Sequence, residues 1–168
     1  MSAGFTIRVA EPGDALVITA LAGASYPALL RDSYDPSVLA AALPVMTKAN
    51  PTLLSSGSFY IVFAETGEAV GCGGWSFGRP GSGETEAALA HIRHFATHPH
   101  WTRRGVGRLL FRRCEKDVRE AGARRFECYS SINAERFYAA LGFEAVKVTE
   151  ISMGEDARMP TVVMQRRI

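Results

Sequence analysis

The segment 91–122 constrains the fold of this chain more than any other stretch. It begins within a run, Leu89–Thr97, whose apolar residues suit a buried strand. Pro99 ends that strand, because proline has no N–H to donate to a sheet. Apolar residues then recur at steps of three and four, which predicts a helix over 105–121, roughly 25 Å long, that stops at Gly122. The chain therefore contains a strand, a short turn and a long helix in direct succession.

The turn between this strand and this helix predicts a binding site for an anion. Its sequence is TRRGVGR, from Thr102 to Arg108. The first amides of a helix have no partner within it, and they carry the positive end of the helix dipole. Gly105 and Gly107 lack a Cβ atom, so a phosphate can approach the backbone, and the arginines add positive charge. The turn lacks the Gly-Lys-Ser/Thr ending of a nucleotide P-loop and the third glycine of a dinucleotide motif. We therefore expect phosphate recognition of another kind.

A second block, Ser131–Phe143, follows the turn after about 25 residues and reads SINAERFYAALGF. Together with 97–107, it resembles the GNAT superfamily of acyl-CoA-dependent N-acyltransferases. The pyrophosphate turn of that family runs Gln/Arg-x-x-Gly-x-Gly/Ala, and its later segment runs Asn-Ala-x-x-Phe-Tyr-x-x-x-Gly-Phe. Thr102 departs from the pattern, because it stands where Gln or Arg is usual. The resemblance covers residues 60–168 well and residues 1–58 in outline.

The remaining pattern predicts a single domain over 1–168. The predicted strands and helices are strand 5–9, helix 16–30, a helix from Asp35, a loop over 50–58, a hairpin of 59–65 with 69–77, strand 125–129, a helix after Ser130 or Ser131, and a final strand pair of 143–153 with 161–165. A helix crosses between strands 89–97 and 125–129, so these two strands are parallel. We predict an α+β fold with helices on both faces of a central, mostly antiparallel sheet. The resemblance implies that its one parallel strand pair splays apart.

The resemblance also implies acetyl-CoA as cosubstrate. The residues that would hold it are Phe95, Thr97, Arg103, Arg104, Gly105, Val106, Gly107, Arg108 and Asn133. In this family the backbone groups at the positions of Phe95 and Thr97 are free to hold the pantetheine arm.

Two residues are predicted to carry proton transfer. Tyr138 matches the tyrosine of the family's Phe-Tyr segment and is the candidate acid for the leaving thiolate; its alternative role is that of a packed core aromatic. Several family members place a glutamate base where this chain has His91, and an imidazole can accept a proton at neutral pH. A half-exposed strand histidine is the alternative role for His91. Glu84, Glu86 and water are the other candidate bases.

Composition excludes several other classes of function. The 19 basic and 17 acidic residues leave a net charge of +2, which is too small to argue for nucleic acid or a membrane. No apolar run approaches the length that spans a bilayer, and the first residues do not begin a signal peptide. The three cysteines lack a Cys-x-x-Cys pair and fit a reducing cytoplasm. Four histidines lie between 91 and 100, but no Cys or Asp is spaced to complete a metal site.

We therefore expect an N-acetyltransferase that moves the acetyl group of acetyl-CoA to a primary amine by direct attack in a ternary complex. The acceptor is a small molecule or a peptide, and residues 22–58 and 76–88 are expected to shape its pocket. The residues that could line that pocket or equally belong to the core are Tyr26, Tyr34, Trp75 and Phe77. A domain that binds acyl-CoA without turnover, as a sensor or interaction module, is the alternative. Homodimerisation is expected from the family and from an exposed sheet edge at Thr161–Gln165.

Overall fold

The computed structural model describes residues 4–168, and this part of the chain forms one seven-stranded sheet. The strands are β1 (Thr6–Val9), β2 (Phe59–Phe63), β3 (Ala69–Ser76), β4 (Leu89–Thr97), β5 (Arg125–Ser131), β6 (Glu144–Ser152) and β7 (Arg158–Arg167). The helices are α1 (Ala15–Leu30), α2 (Pro36–Met46), α3 (Pro51–Leu54), α4 (Val106–Glu120) and α5 (Glu135–Ala140). The predicted domain over 1–168 and the expectation about a signal peptide both involve residues 1–3. These three residues lie outside the described residues.

The strand order is β1-β2-β3-β4-β5-β7-β6. Strands β4 and β5 pair in parallel, and the other neighbouring pairs are antiparallel. This arrangement confirms the predicted α+β fold with one parallel pair. The predicted hairpin of β2 and β3 is confirmed as well.

Helices cover both faces of the sheet. Alternate residues of a strand point to opposite faces, and β2 shows this directly: Tyr60 packs in the core beneath α4, whereas Ile61 packs beneath α1. Helix α4 buries one apolar stripe, as its periodicity predicts. The stripe consists of Val106, Leu110, Phe111, Cys114 and Val118. Burying a large apolar side chain stabilises a fold by about 1.5–3 kcal/mol, so this stripe fixes the helix and the turn before it on the sheet.

One local prediction needs correction. The predicted loop over 50–58 contains the short helix α3, because the side chain of Asn50 accepts hydrogen bonds from Thr52 N and Leu53 N and so caps a helical turn. Helix α1 runs through Pro27 to Leu30, which confirms the predicted helix over 16–30.

The exposed sheet edge is also not where the sequence placed it. Strand β7 lies between β5 and β6, so Thr161–Gln165 is an interior segment and β6 forms that edge. Val146 and Val148 on β6 are 55% and 70% exposed. The exposed edge that could pair with a second copy is therefore β6, and self-association stays a prediction.

One helical segment within residues 4–168, Pro12–Leu30, is long and apolar enough to cross a membrane by length and composition, with a hydropathy of 1.3. The expectation that no apolar run approaches this length is therefore wrong. Ile18, Leu21 and Leu30 of this segment are buried in the fold, and Tyr26 donates a hydrogen bond to the β4 backbone. These contacts pack one face of α1 on the sheet, and 28% of the segment is buried.

The parallel pair is short. Strands β4 and β5 pair only over Leu89–His91 and Arg125–Glu127. Beyond that point β4 stays paired with β3, and β5 stays paired with β7. The two strands therefore diverge, which confirms the splay that the family resemblance implies. Strand β4 also bulges at His94, whose φ of 49° is in the left-handed region, where the register with β3 shifts.

Candidate active site

A large cleft opens where β4 and β5 diverge, with a volume of about 1590 Å³. Its walls come from the turn before α4, from α1 and the segment after α2, from α5, and from the ends of β5, β6 and β7. Phe95 and Thr97 lie along one wall, and Asn133 and Tyr138 lie along another. The cleft therefore joins most of the residues that the sequence analysis assigned to cosubstrate binding and proton transfer.

The predicted anion site is present at one end of this cleft. Arg103 and Gly105 both have positive φ, 61° and 87°, and this tight turn leads directly into the first residue of α4. Arg103 and Arg108 are exposed and line the cleft together with Gly107. The first amides of α4 and two mobile guanidinium groups therefore face the same space, as a phosphate site requires.

Two side chains of the turn contact the residues that precede it. The guanidinium of Arg104 lies 4.8 Å from the ring centroid of Trp101, and Arg104 does not line the cleft. The hydroxyl of Thr102 donates to the carbonyl of Pro99. Thr102 therefore forms a hydrogen bond within the turn, whereas the Gln or Arg that is usual at this position has a longer side chain. Arg103 and Arg108 are the charged side chains of the turn that line the cleft.

Gly107 has a packing reason for lacking a side chain, which the sequence analysis missed. A Cβ atom at this position would lie 2.9 Å from the ring of Phe137 on α5. The glycine therefore lets α5 approach the start of α4, and it brings the neighbouring Tyr138 close to the turn. At Gly105 the space is open, and the positive φ alone requires glycine.

The backbone of β4 is only partly free for a ligand. The carbonyl of Phe95 accepts a hydrogen bond from the hydroxyl of Tyr26 at 3.1 Å. The expectation that the Phe95 backbone is free is therefore wrong for its carbonyl oxygen, because α1 supplies a donor. The divergence from β5 still leaves the cleft side of β4 without a neighbouring strand.

Tyr138 is a nearly buried residue of the cleft wall. It is 6% exposed, lines the cleft, and packs against Phe95 and Phe143 with ring centroids 6.3 and 5.4 Å away. Its hydroxyl has no hydrogen-bond partner among residues 4–168. Burial raises the pKa of Tyr138 well above its ordinary value, and nearby Cys128 adds to the rise. The phenol therefore stays protonated at neutral pH and can donate a proton into the cleft.

His91 is brought to a different place. It is 1% exposed and does not line the cleft. Its Nδ1 lies 3.5 Å from Oε1 of Glu127, and neither atom has a hydrogen-bond partner in the described part of the chain. Gln165 Nε2 donates to the other carboxylate oxygen of Glu127 at 2.8 Å. Burial lowers the pKa of His91 more than Glu127 raises it, so the imidazole is neutral at pH 7.

The other candidate bases are exposed. Glu84 lies 3.8 Å from Arg79, and Glu86 accepts a hydrogen bond from Arg125 at 2.8 Å. Neither glutamate lines the cleft. The identity of the base stays a prediction.

Several cleft residues were not predicted from the sequence. Arg93 and Tyr129 line the cleft beyond Tyr138 and Phe95. Tyr34, which the sequence left open, also lines it, donates to the carbonyl of Pro160 and accepts from the amide of Ile132. The signal for Arg93 was the run His-Ile-Arg-His inside an otherwise buried central strand, since local rules tend to be broken at functional sites.

Comparisons with known proteins identify the family to which this fold belongs. A family model for the acetyltransferase (GNAT) domain matches residues 34–165. The chain therefore belongs to the GNAT family and is an acetyltransferase. A search of curated proteins found no significant match.

Many solved structures share the fold. A GCN5-related N-acetyltransferase from Rhodopseudomonas palustris is 24% identical, with a TM-score of 0.82 over 99% of this chain and 97% of that one. The PaiA N-acetyltransferase from Thermoplasma acidophilum, solved with coenzyme A, is 15% identical, with a TM-score of 0.73 over 98% and 99%. The ribosomal-protein-S18-alanine N-acetyltransferase from Escherichia coli is 15% identical, with a TM-score of 0.64 over 98% and 94%. These likenesses concern the fold.

Proposed function

We propose that this protein transfers the acetyl group of acetyl-CoA to a primary amine by direct attack within a ternary complex. One observation carries the proposal: a single cleft has an anion-binding turn at one end and the protonated hydroxyl of Tyr138 between that turn and the Arg93–Tyr129 end. The similar fold solved with coenzyme A supports acetyl-CoA as the cosubstrate.

The cosubstrate would lie along the diverging strand. Its pyrophosphate would bind the amides at the start of α4, with Arg103 and Arg108 around it. Its pantetheine arm would follow β4 past Thr97 and Phe95, and the thioester would reach Tyr138. Asn133, which lines the same cleft, accepts a hydrogen bond from Ser131 and would contact the arm from the α5 side.

The reaction then follows from proton positions. A neutral amine nitrogen attacks the thioester carbonyl carbon, and a C–N bond forms while the carbonyl oxygen becomes an oxyanion. A backbone N–H in the bulged part of β4 is the proposed donor to that oxygen. The C–S bond breaks as the tetrahedral centre collapses, and Tyr138 gives its proton to the departing sulfur. The proton lost by the amine passes through cleft water and finally reprotonates Tyr138, so the products are an amide and free CoA thiol and the enzyme is unchanged.

His91 is the proposed temporary acceptor of the amine proton, which later passes back to the Tyr138 phenolate. The neutral imidazole lies beside Glu127, which stabilises the protonated ring. Tyr129 lines the cleft, and burial together with nearby Glu127 raises its pKa. The Tyr129 hydroxyl is the proposed relay between cleft water and the buried pair.

A covalent acetyl-enzyme is disfavoured by the state of the thiols. All three cysteines are buried, and burial raises the pKa of each, for Cys72 to about 12. A thiol is a nucleophile only as its thiolate, and these thiols stay protonated. Direct transfer is therefore the favoured route.

The test is the release of CoA thiol from acetyl-CoA in the presence of a panel of primary amines. The expected result is release that depends on the amine and saturates with acetyl-CoA. Tight CoA binding without amine-dependent release from any panel member would instead favour the acyl-CoA sensor.

A further inference from the structure

The acceptor end of the cleft contains a cation that lacks a carboxylate partner. Arg93 is partly buried, and within residues 4–168 no carboxylate lies within 4.0 Å of its guanidinium. A guanidinium cannot be deprotonated at ordinary pH, and it presents five N–H donors in a planar fork. A partly buried charge of this kind is costly unless an anion balances it.

The protein holds this guanidinium in place through one neutral contact. Nη1 of Arg93 donates to the hydroxyl of Ser76 at 2.9 Å. That hydroxyl in turn donates to the carbonyl of Gly78 at 2.7 Å, so its orientation is fixed by the loop between β3 and β4. The contact uses one of the five donors, and the others remain for a ligand in the cleft.

The position of Arg93 separates it from the cosubstrate's phosphates. Three residues of β4 lie between Arg93 and Thr97, so the two Cα atoms are at most about 13 Å apart. The turn that binds pyrophosphate begins beyond Thr97. Phe95, which packs on Tyr138, lies between the two charged ends. Arg93 therefore faces the space on the far side of the reaction centre, where the amine enters.

The charged residues that line the cleft are mostly basic, which also favours an anionic ligand. The charged lining residues are Lys48, Arg93, Arg103, Arg108 and Arg136 against one carboxylate, Glu150. Arg103 and Arg108 belong to the CoA end, which leaves Lys48, Arg93 and Arg136 as the basic residues of the remaining lining.

We infer that the amine acceptor carries an anionic oxygen group, a carboxylate or a phosphate, which binds Arg93 while the amine faces the thioester. This inference rests on the proposed function and adds the chemical class of its substrate. A planar guanidinium pairs with either oxyanion through two parallel hydrogen bonds. Such an acceptor would satisfy the donors that Ser76 leaves free.

The experiment compares matched amines that differ in one charge. The panel contains L-amino acids with their C-terminal amides, and O-phosphoethanolamine with ethanolamine. For the wild-type protein we expect kcat/KM of the preferred anionic member to exceed that of its neutral partner by about 10–100-fold, the usual range for a hydrogen-bonded charge. In Arg93→Gln this ratio should fall to about one, and in Arg93→Lys it should be partly retained.

Two controls separate recognition from folding. Arg112→Gln removes an equal charge from the exposed side of α4 and should keep the wild-type ratio. The CoA affinity and melting temperature of Arg93→Gln should stay near wild type, whereas a merely structural arginine would lower the rates of charged and neutral amines alike. Equal kcat/KM for charged and neutral partners in the wild type would overturn the inference, even if Arg93→Gln fails to fold.

A binding experiment tests the same inference if no panel member is acetylated. Binding of the same paired amines to the CoA-loaded protein is followed by NMR line broadening. If the wild type prefers the anionic members and Arg93→Gln does not, the anion site is supported even though the proposed acetyl transfer is not. The lack of any preference in this arm, with turnover present or absent, would overturn the inference by itself.

Discussion

The two ends of the cleft are built in opposite ways. The cosubstrate end consists of a backbone turn, the first amides of α4 and exposed arginines that reach outward. The acceptor end is lined by half-buried side chains such as Arg93, and the buried pair of His91 and Glu127 lies outside the lining. The first kind of site attracts a charged ligand at little cost to folding. The second kind keeps titratable side chains inside the fold, so stability should depend on pH through those side chains.

Tyr138→Phe tests the point where the two ends meet and should have the largest effect. The phenylalanine keeps the ring packed against Phe95 and Phe143, so the melting temperature should be nearly unchanged. The variant lacks the hydroxyl proton that Tyr138 would donate to the departing thiolate. We therefore expect kcat to fall by about 10²–10⁴-fold, with near-normal CoA affinity. Steady-state kinetics and calorimetry measure both quantities. Wild-type turnover in this variant, with chemistry rate-limiting, would return Tyr138 to the role of a packed aromatic.

The buried end should make stability depend on pH. Burial lowers the pKa of His94 to about 4, and Arg93 adds to the lowering. Between pH 6.5 and 4 the unfolded chain therefore binds more protons than the native one, so the free energy of unfolding falls as the pH is lowered. We expect a loss of about 2–3 kcal/mol from this group, in addition to a loss of the same sign from His91.

His94→Asn should remove this contribution and flatten the curve, because asparagine tolerates the positive φ of this position. The measurement is urea unfolding at several pH values. His100→Asn, at an exposed position, is the matched control and should keep the wild-type curve. An unaltered pH dependence in His94→Asn would show that another group is responsible.

The exposed end should respond to salt instead. Replacing both Arg103 and Arg108 by Gln should weaken CoA binding about tenfold at low salt, and the loss should shrink at high salt. The free energy of unfolding should change by no more than about 0.5 kcal/mol, because both side chains are exposed. Calorimetric titration with CoA at two ionic strengths checks this. Arg104→Gln should have a smaller effect, since its guanidinium lies over Trp101.

The same contrast explains what the sequence could predict. The turn is contiguous, so residues 102–108 and the periodicity of α4 reveal a strand, an anion site and a helix without any knowledge of tertiary contacts. The contacts of the acceptor end join residues that lie far apart in the chain. Arg93 meets Ser76, and His91 meets Glu127, only through the register of the sheet. No local pattern specifies that register.

The wrong edge assignment has the same origin. Alternation of residues predicted that β6 and β7 pair, and they do. Which of the two lies against β5 depends on the packing of both faces of β7, where Val162 and Met164 enter the core beneath α4. The role of Gly107 was likewise hidden, because its neighbour Phe137 is 30 positions along the sequence.

The most direct test of two substrates in one cleft is the initial-velocity pattern with acetyl-CoA and an active amine varied together. Simultaneous binding at the two ends predicts double-reciprocal lines that intersect, and no acetylated protein by intact mass after incubation with acetyl-CoA alone. Parallel lines together with a stable acetyl adduct on the protein would show that the acetyl group first moves to an enzyme residue, and would contradict direct transfer past Tyr138.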